Sequence, residues 1–289
     1  MINLWYEESY WGHAGGRVSG PEKVVKNTID ALEQEGIEYA INDDTYSYNF
    51  LMQYQHGVAH LKHQELEHSS CVIGPQVWPF DSYGKFLIEN PQYYKNIIAP
   101  SEWVKNLFEN KLGISKVVVW PVGIKEPNII SNQSIDCLIY YKNRPAEHLE
   151  QVKSLLSKRG LTHVQLQYGS YSQDEFKDAL AKVQFCIIID NTESQGIAIE
   201  EMMAAGKPLF VWDTPVWDHM GQEYAVPASS VPYWSYECGE KTADKDALDL
   251  SLDHFLSRLT TYTPRAYVDR ELSPEVTVKI LTDHFSEYE

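Results

Sequence analysis

The chain holds 289 residues with 24 Lys+Arg against 41 Asp+Glu, a formal charge of -17. That balance lacks the basic footprint nucleic acid requires and disfavours anionic membrane surfaces, so neither partner is expected. With 43% hydrophobic and 22% charged residues the composition is that of an ordinary globular protein, and the length suits one large domain or two of about 100–150 residues.

Short apolar runs of strand length alternate with amphipathic runs of helix length along nearly the whole chain, the pattern of an α/β architecture with mostly parallel sheet. A first strand is predicted at Ile2–Tyr6. Glu7 and Glu8 follow it with no basic residue ahead, which argues against a secretory signal. Gly15-Gly16-Arg17-Val18-Ser19-Gly20-Pro21-Glu22 then opens a predicted helix through Val24, Val25, Ile29 and Leu32 that stops at Gly36. Free N–H groups at its positive end suit a phosphate, although the run is neither G-x-G-x-x-G nor a Walker A. Ser19 and Glu22 also have capping-box spacing, and Gly36 suits a C′ position, so the same residues serve helix geometry alone.

Further strands are expected at Ile37–Ile41, Cys71–Val77, Asn96–Ala99 and Val117–Trp120. His56, His60, His63 and His68 fall between two of these, without acidic partners in metal spacing, and read as a solvated helix. Two prolines and a glycine within Pro121 to Asn128, then polar Ser131 to Ser134, interrupt the alternation and mark a linker. The pattern resumes with strands at Cys137–Tyr141, His163–Gln167, Phe185–Ile189 and Leu209–Trp212. Two such halves predict two Rossmann-like domains with parallel sheets facing a cleft, residues 1–124 and 134–270. A C-terminal helix is expected within 271–289, where Val276, Ile280, Leu281 and Phe285 share helical spacing after Ser273-Pro274.

No apolar run reaches the roughly 18 residues needed to span a bilayer. Cys71, Cys137, Cys186 and Cys238 form neither a redox pair nor a zinc knuckle, so buried reduced thiols and a cytoplasmic location are expected. Asp244-Lys245-Asp246 spells the D-x-D of metal-dependent transferases, but with no strand predicted before it the run reads as a solvated helix start, and no metal is expected.

The segment after Phe185–Ile189 carries the strongest signal. Asp190-Asn191-Thr192-Glu193-Ser194-Gln195-Gly196-Ile197 leads into a helix with Glu201, ahead of the next strand. Glu193 therefore lies at the carboxyl end of a parallel strand, where open sheets bind ligands, and Glu201 lies about one turn into the helix. Two carboxylates so placed can grip sugar or ribose hydroxyls, and they can equally complement a helix dipole.

Glu193 and Glu201 enclose seven residues, with Gly196 between them and Met202-Met203-Ala204-Ala205-Gly206-Lys207-Pro208 behind. This resembles the E-x7-E signature of the retaining glycosyltransferase family 4 group. Ser19-Gly20-Pro21-Glu22-Lys23-Val24-Val25 resembles that family's N-terminal helix start. Ile98-Ala99-Pro100-Ser101 and Trp120-Pro121-Val122-Gly123-Ile124 resemble the pieces ahead of its linker.

The resemblance implies a GT-B fold with the acceptor on the N-terminal domain, the donor on the C-terminal one, and a closing helix. It implies that Glu193 contacts donor-sugar hydroxyls and that the backbone from Ser194 through Gln195 and Gly196 to Ile197 contacts sugar and phosphate. It further implies that Glu201 holds the ribose, that Gly20 lies near the diphosphate, and that Tyr168 and Gly169 pack the base.

Two departures stand out. The family's cationic pair is replaced by Lys142 and Arg144, with Glu147-His148 where the lysine would fall. The N-terminal histidine has no clear counterpart beyond Gln76. The implied activity is metal-independent, retaining transfer of a hexosyl group from a UDP-, GDP- or ADP-linked sugar to a glycan or other hydroxyl acceptor, with no further cofactor. A non-catalytic nucleotide-sugar-binding or assembly protein on the same scaffold, or a sugar-nucleotide epimerase, is the alternative.

Overall fold

The structure, a computed structural model, describes residues 2–8, 18–43, 45, 49–53, 55, 57–59, 71–219 and 224–286. It divides into two compact units. One comprises the N-terminal strand, Ser19–Gly123 and the segment from Leu272; the other is Ile124–Glu271. Between residues 120 and 134 the backbone has no regular secondary structure.

The first unit contains β1 (Ile2–Trp5), α1 (Gly20–Gln34), β2 (Tyr39–Ile41), β3 (Asn49–Leu51), β4 (Cys71–Ile73), α2 (Ser82–Glu89), β5 (Asn96–Ala99), α3 (Glu102–Asn106) and β6 (Val117–Val119). Its six strands are all parallel, in the order β2-β1-β3-β4-β5-β6. The Ser19 hydroxyl caps α1 by accepting from the Glu22 amide at 3.2 Å, but the Glu22 carboxylate turns to Lys26. Only half of the expected capping box therefore forms. Gly36 takes the left-handed conformation at φ 66°, and Ile37 N donates back to Leu32 O, closing the helix as expected.

The second unit contains β7 (Ile135–Tyr141), α4 (Ala146–Lys158), β8 (His163–Gln167), α5 (Gln173–Lys182), β9 (Val183–Ile189), α6 (Ile197–Ala204), β10 (Leu209–Trp212), β11 (Val216–Trp217), β12 (Val226–Pro227), β13 (Gly239–Thr242), α7 (Leu248–Ser257) and α8 (Pro264–Glu271). Its five-stranded parallel sheet runs β13-β10-β9-β7-β8. Strand β9 is buried from Phe185 to Ile189 on both faces, which is why its sequence is a continuous apolar run rather than an alternation. At the edge, His163 and Gln167 of β8 are exposed. Helix α5 has a complete capping box, with Ser172 Oγ accepting from Glu175 N and the Glu175 carboxylate accepting from Ser172 N.

Two findings correct the sequence reading, and a third supplies what it left open. Strand β3 carries no periodic signal in three residues and was not expected. Strand β13 was also missed, because Gly-Glu-Lys-Thr lacks an apolar run; it lies directly ahead of Asp244, which thus follows a strand after all. Gly239 makes β13 possible: at φ 147° a Cβ there would sit 1.9 Å from the Leu209 carbonyl oxygen, so only glycine lets the two backbones pair. Finally, the C-terminal helix α9 (Pro274–Ser286) belongs to the first unit. There Trp120 Nε1 donates to Thr277 O at 2.9 Å, and the Phe285 ring lies 5.9 Å from that of Phe50.

All four cysteines are buried and unbridged, and burial pushes the Cys71 and Cys137 thiols up to about 12. Among the described residues no helix is long and apolar enough to cross a membrane.

Candidate functional site

Numbered within the second unit, its strands run 2-1-3-4-5, an order that reverses between β7 and β9. Such a reversal splays the connections to opposite faces and leaves a crevice at the strands' carboxyl ends, the place where open α/β sheets hold ligands. Lys142 directly follows β7, and Asp190 directly follows β9. The register pairs Tyr141 with Ile189, so these two residues emerge side by side, and Lys142 N donates to Ile189 O at 3.0 Å.

Here the structure assembles several predicted residues. The Lys142 ammonium forms an ion pair with Glu193, and both side chains are only 14% exposed. The same ammonium stands 4.2 Å from the centre of the Tyr168 ring. Burial opposes the lysine charge, but Glu193 and Asp190 outweigh it and hold its pKa above the ordinary value. Tyr168 is 50% exposed and anchored through its N–H to Tyr141 O, and Gly169 follows in the left-handed conformation. Beneath them the Tyr140 and Tyr171 rings meet edge to face, 6.3 Å apart, and burial pushes the Tyr171 phenol up to about 12, with Glu201 adding to the shift. Glu201 thus shares this electrostatic environment with Tyr171 and Lys142.

The loop from Asp190 to Gly196 is held from below. Glu193 N donates to Ser229 O at 3.1 Å, and Gly196, at φ 94°, turns the chain into α6. Ser194 is exposed, whereas Gln195 is buried with its amide donating to Glu200 at 2.9 Å. Of Gln195, therefore, only the main chain can serve a ligand. Ile197 begins α6, with the partial positive charge of its first turn beside Glu193.

Arg144 is held by several acceptors at the ends of the strands. Its Nη1 donates to the Asp190 and Trp212 carbonyls at 3.0 and 3.3 Å and to the Thr214 hydroxyl, while Nε donates to His148 Nδ1 at 3.1 Å. Burial and Arg144 itself hold His148 below its usual pKa, which suits an unprotonated Nδ1 acceptor. Arg144 is thus a clip across the ends of β9 and β10, and its Nη2 makes no hydrogen bond among the described residues.

Gly20 lies in the first unit at the start of α1, where a Cβ would meet no described atom within 4 Å. Gln76, in the same unit, donates to Pro21 O at 3.1 Å and so stands at that helix start. Gly15, Gly16 and Arg17, like His56, His60, His63 and His68, lie outside the described residues. Asp244 is occupied in a turn, accepting from Asp246 N, and no described group of His, Cys, Asp and Glu has the arrangement of a metal site.

Three features escaped the sequence reading. Asp190 is fully buried beside Glu193; the available cue was a carboxylate ending an otherwise apolar strand. Glu200 is fully buried under the loop, one residue before the glutamate of interest. Lys241 of β13 donates to Ser229 Oγ at 3.0 Å and lies 3.9 Å from Asp213, which accepts from Ser229 Oγ and Ser230 N. That network carries the segment on which Glu193 rests, and it was invisible because β13 was.

No family model matches the chain, and no curated protein matches it in sequence. Solved structures do. The chain is similar to sucrose-phosphate synthase from Thermosynechococcus elongatus (TM-score 0.64, 11% identity, covering 99% of this chain and 98% of that chain). It is similar to the lipopolysaccharide outer core galactosyltransferase WaaB in its apo form (0.59, 12%, 100% and 99%). The catalytic domain of starch synthase IV from Arabidopsis thaliana, bound to ADP and acarbose, is also similar (0.55, 8%, 99% and 98%). Two parallel six- and five-stranded sheets and these likenesses define the fold as GT-B.

Proposed function

We propose that the chain is a retaining glycosyltransferase that moves a sugar from a nucleoside-diphosphate sugar to an acceptor hydroxyl. The observation that carries this reading is the Lys142–Glu193 pair at the strand-order reversal of the second unit, beside the helix start at Gly196 and with Glu201 behind it. Glu193 and the amides near Gly196 hold the sugar, Glu201 the ribose, and Tyr168 with Gly169 the base. As the bond from the anomeric carbon to the diphosphate oxygen breaks, negative charge grows on the leaving group. Lys142, Arg144 Nη2 and the helix start at Ile197 offset it, which needs no metal. The acceptor oxygen bonds to the anomeric carbon on the same face, and its proton passes to the departing phosphate. The protein's contribution is position and electrostatics.

One observation favours a second reading, a protein that binds a nucleotide sugar without turning it over. Lys142 is engaged by Glu193, and most of the Arg144 donors by backbone and side-chain acceptors, so neither of these two cations stands wholly uncommitted. A thermal-shift panel of UDP-glucose, GDP-mannose and ADP-glucose finds the donor, since a ligand bound only by the native state raises the melting temperature. Donor hydrolysis or transfer in EDTA then separates the readings: turnover supports the transferase, and binding without release of sugar supports the binder.

A further inference from the structure

Around Glu193 the charges do not balance as drawn. Two carboxyl groups, Asp190 and Glu193, share the immediate neighbourhood of one ammonium, Lys142. Asp190 is fully buried. Its Oδ1 accepts from Asn191 N at 2.7 Å, but its Oδ2 is buried with no donor in reach among the described residues, and the group beside it is the Glu193 carboxyl, itself an acceptor when ionised. A buried lone-pair oxygen facing another carboxylate carries a large desolvation penalty and repulsion, and a single proton between the two removes both. The other charged or titratable groups around Asp190 leave that conclusion in place. Arg144 pulls toward ionisation, yet its Nη1 is committed to the Asp190 and Trp212 carbonyls rather than to the carboxyl. Tyr140 is a neutral phenol, and on the β10 side Asp213 adds negative charge balanced by Lys241.

We propose that Asp190 is a neutral positioning residue whose carboxyl O–H donates from Oδ2 to the Glu193 carboxylate. One proton, one carboxylate and one ammonium then make a neutral, hydrogen-bonded triad at the end of β7 and β9. The direction of the Asp190 pKa agrees: burial, then Glu193, raises it far above the ordinary carboxyl value. The main chain keeps the donor aimed, because the Asp190 carbonyl accepts from Arg144, Thr214 Oγ1 and Ser230 Oγ together. The functional consequence rests on the reading of Lys142 and Glu193 given above. When a diphosphate draws the ammonium away, Glu193 keeps one strong hydrogen bond and stays oriented toward the donor sugar.

The test combines a direct readout with paired variants. Infrared difference spectra of protein labelled at aspartate, wild type minus Asp190→Asn, should show a protonated carboxyl stretch at pH 7. The amide of Asp190→Asn imitates the protonated acid, so this variant should melt above wild type at pH 8, with the gap closing toward pH 4. It should also keep donor hydrolysis of the responsive nucleotide sugar at least tenfold above that of Asp190→Ala. A carboxylate stretch in place of the acid, or an Asp190→Asn protein that fails to fold or melts below wild type at pH 8, overturns the proposal. The infrared and melting results need no turnover. An inert enzyme with a protonated Asp190 therefore refutes the transferase reading and leaves the proton where it is placed here.

Discussion

Glu193 is the residue on which the functional reading turns, because it sits between Lys142 and Asp190 at the mouth of the second sheet, and Glu201 lies one helical stretch behind it. Replacing either by glutamine keeps size and removes charge, and the two variants should fail differently. Glu201→Gln should weaken nucleoside-diphosphate binding by about 1.5–3 kcal/mol, the contribution of a charged hydrogen-bond acceptor. Glu193→Gln should leave that affinity nearly intact and lower transfer rate, since its partner exists only in the intact donor. Calorimetry beside a transfer assay separates them, and wild-type behaviour in both variants would reduce the motif to a helix dipole complement.

Glu200 offers a second residue-scale prediction. Burial raises its carboxyl well above the usual value, so the folded state binds a proton that the unfolded chain releases near pH 4.3. The stability tied to that proton is complete below about pH 4 and declines as pH rises through the folded value. Glu200→Gln retains an oxygen to accept from Gln195 and carries no such dependence. Its melting temperature should exceed wild type by a margin that widens from pH 5 to pH 8; a constant margin would mean Glu200 is ionised.

Among the elements, α6 depends on a conformation rather than a contact. Gly196 enters it at φ 94°, and a Cβ there would meet Glu193 and Ile199 only at ordinary distances of 3.6–3.8 Å. The expected loss for Gly196→Ala is therefore backbone strain alone, about 1–2 kcal/mol. Chemical denaturation should show that loss, with transfer falling further because the amides that follow are re-aimed. A variant as stable and active as wild type would remove Gly196 from the site. Helix α5 gives a comparison away from the site. Ser172→Ala breaks a complete capping box and should lower stability by about 1 kcal/mol without touching turnover.

For the whole molecule, the chain's return at its end matters most. Helix α9 belongs to the first unit, where Trp120 donates to Thr277 O and Phe285 packs on Phe50. Truncation after Glu271 should strip amide protection from β3 and β6 in hydrogen exchange while β7 and β9, deep in the second unit, keep theirs. Equal loss in both units would show that they fold as one.

The two parallel sheets were legible in the sequence wherever a strand is buried on both faces, because burial demands the continuous apolar runs seen at Ile97–Ala99 and Phe185–Ile189. The start and stop of α1 were legible in Ser19 and Gly36, and the candidate loop in the spacing of Glu193 and Glu201. All of these are local demands of backbone and burial. What tertiary structure alone decided has a different physical origin. Strand β13 exists because Gly239 can approach Leu209, a pairing between residues thirty apart with no signature in Gly-Glu-Lys-Thr. The strand-order reversal between β7 and β9 sets Lys142 against Glu193, and Asp190 acquires its neighbours only once β7, β9 and β10 lie side by side. Charge state depends on which groups folding brings within a few ångströms and on how much water it removes, and neither is written in the order of residues along the chain.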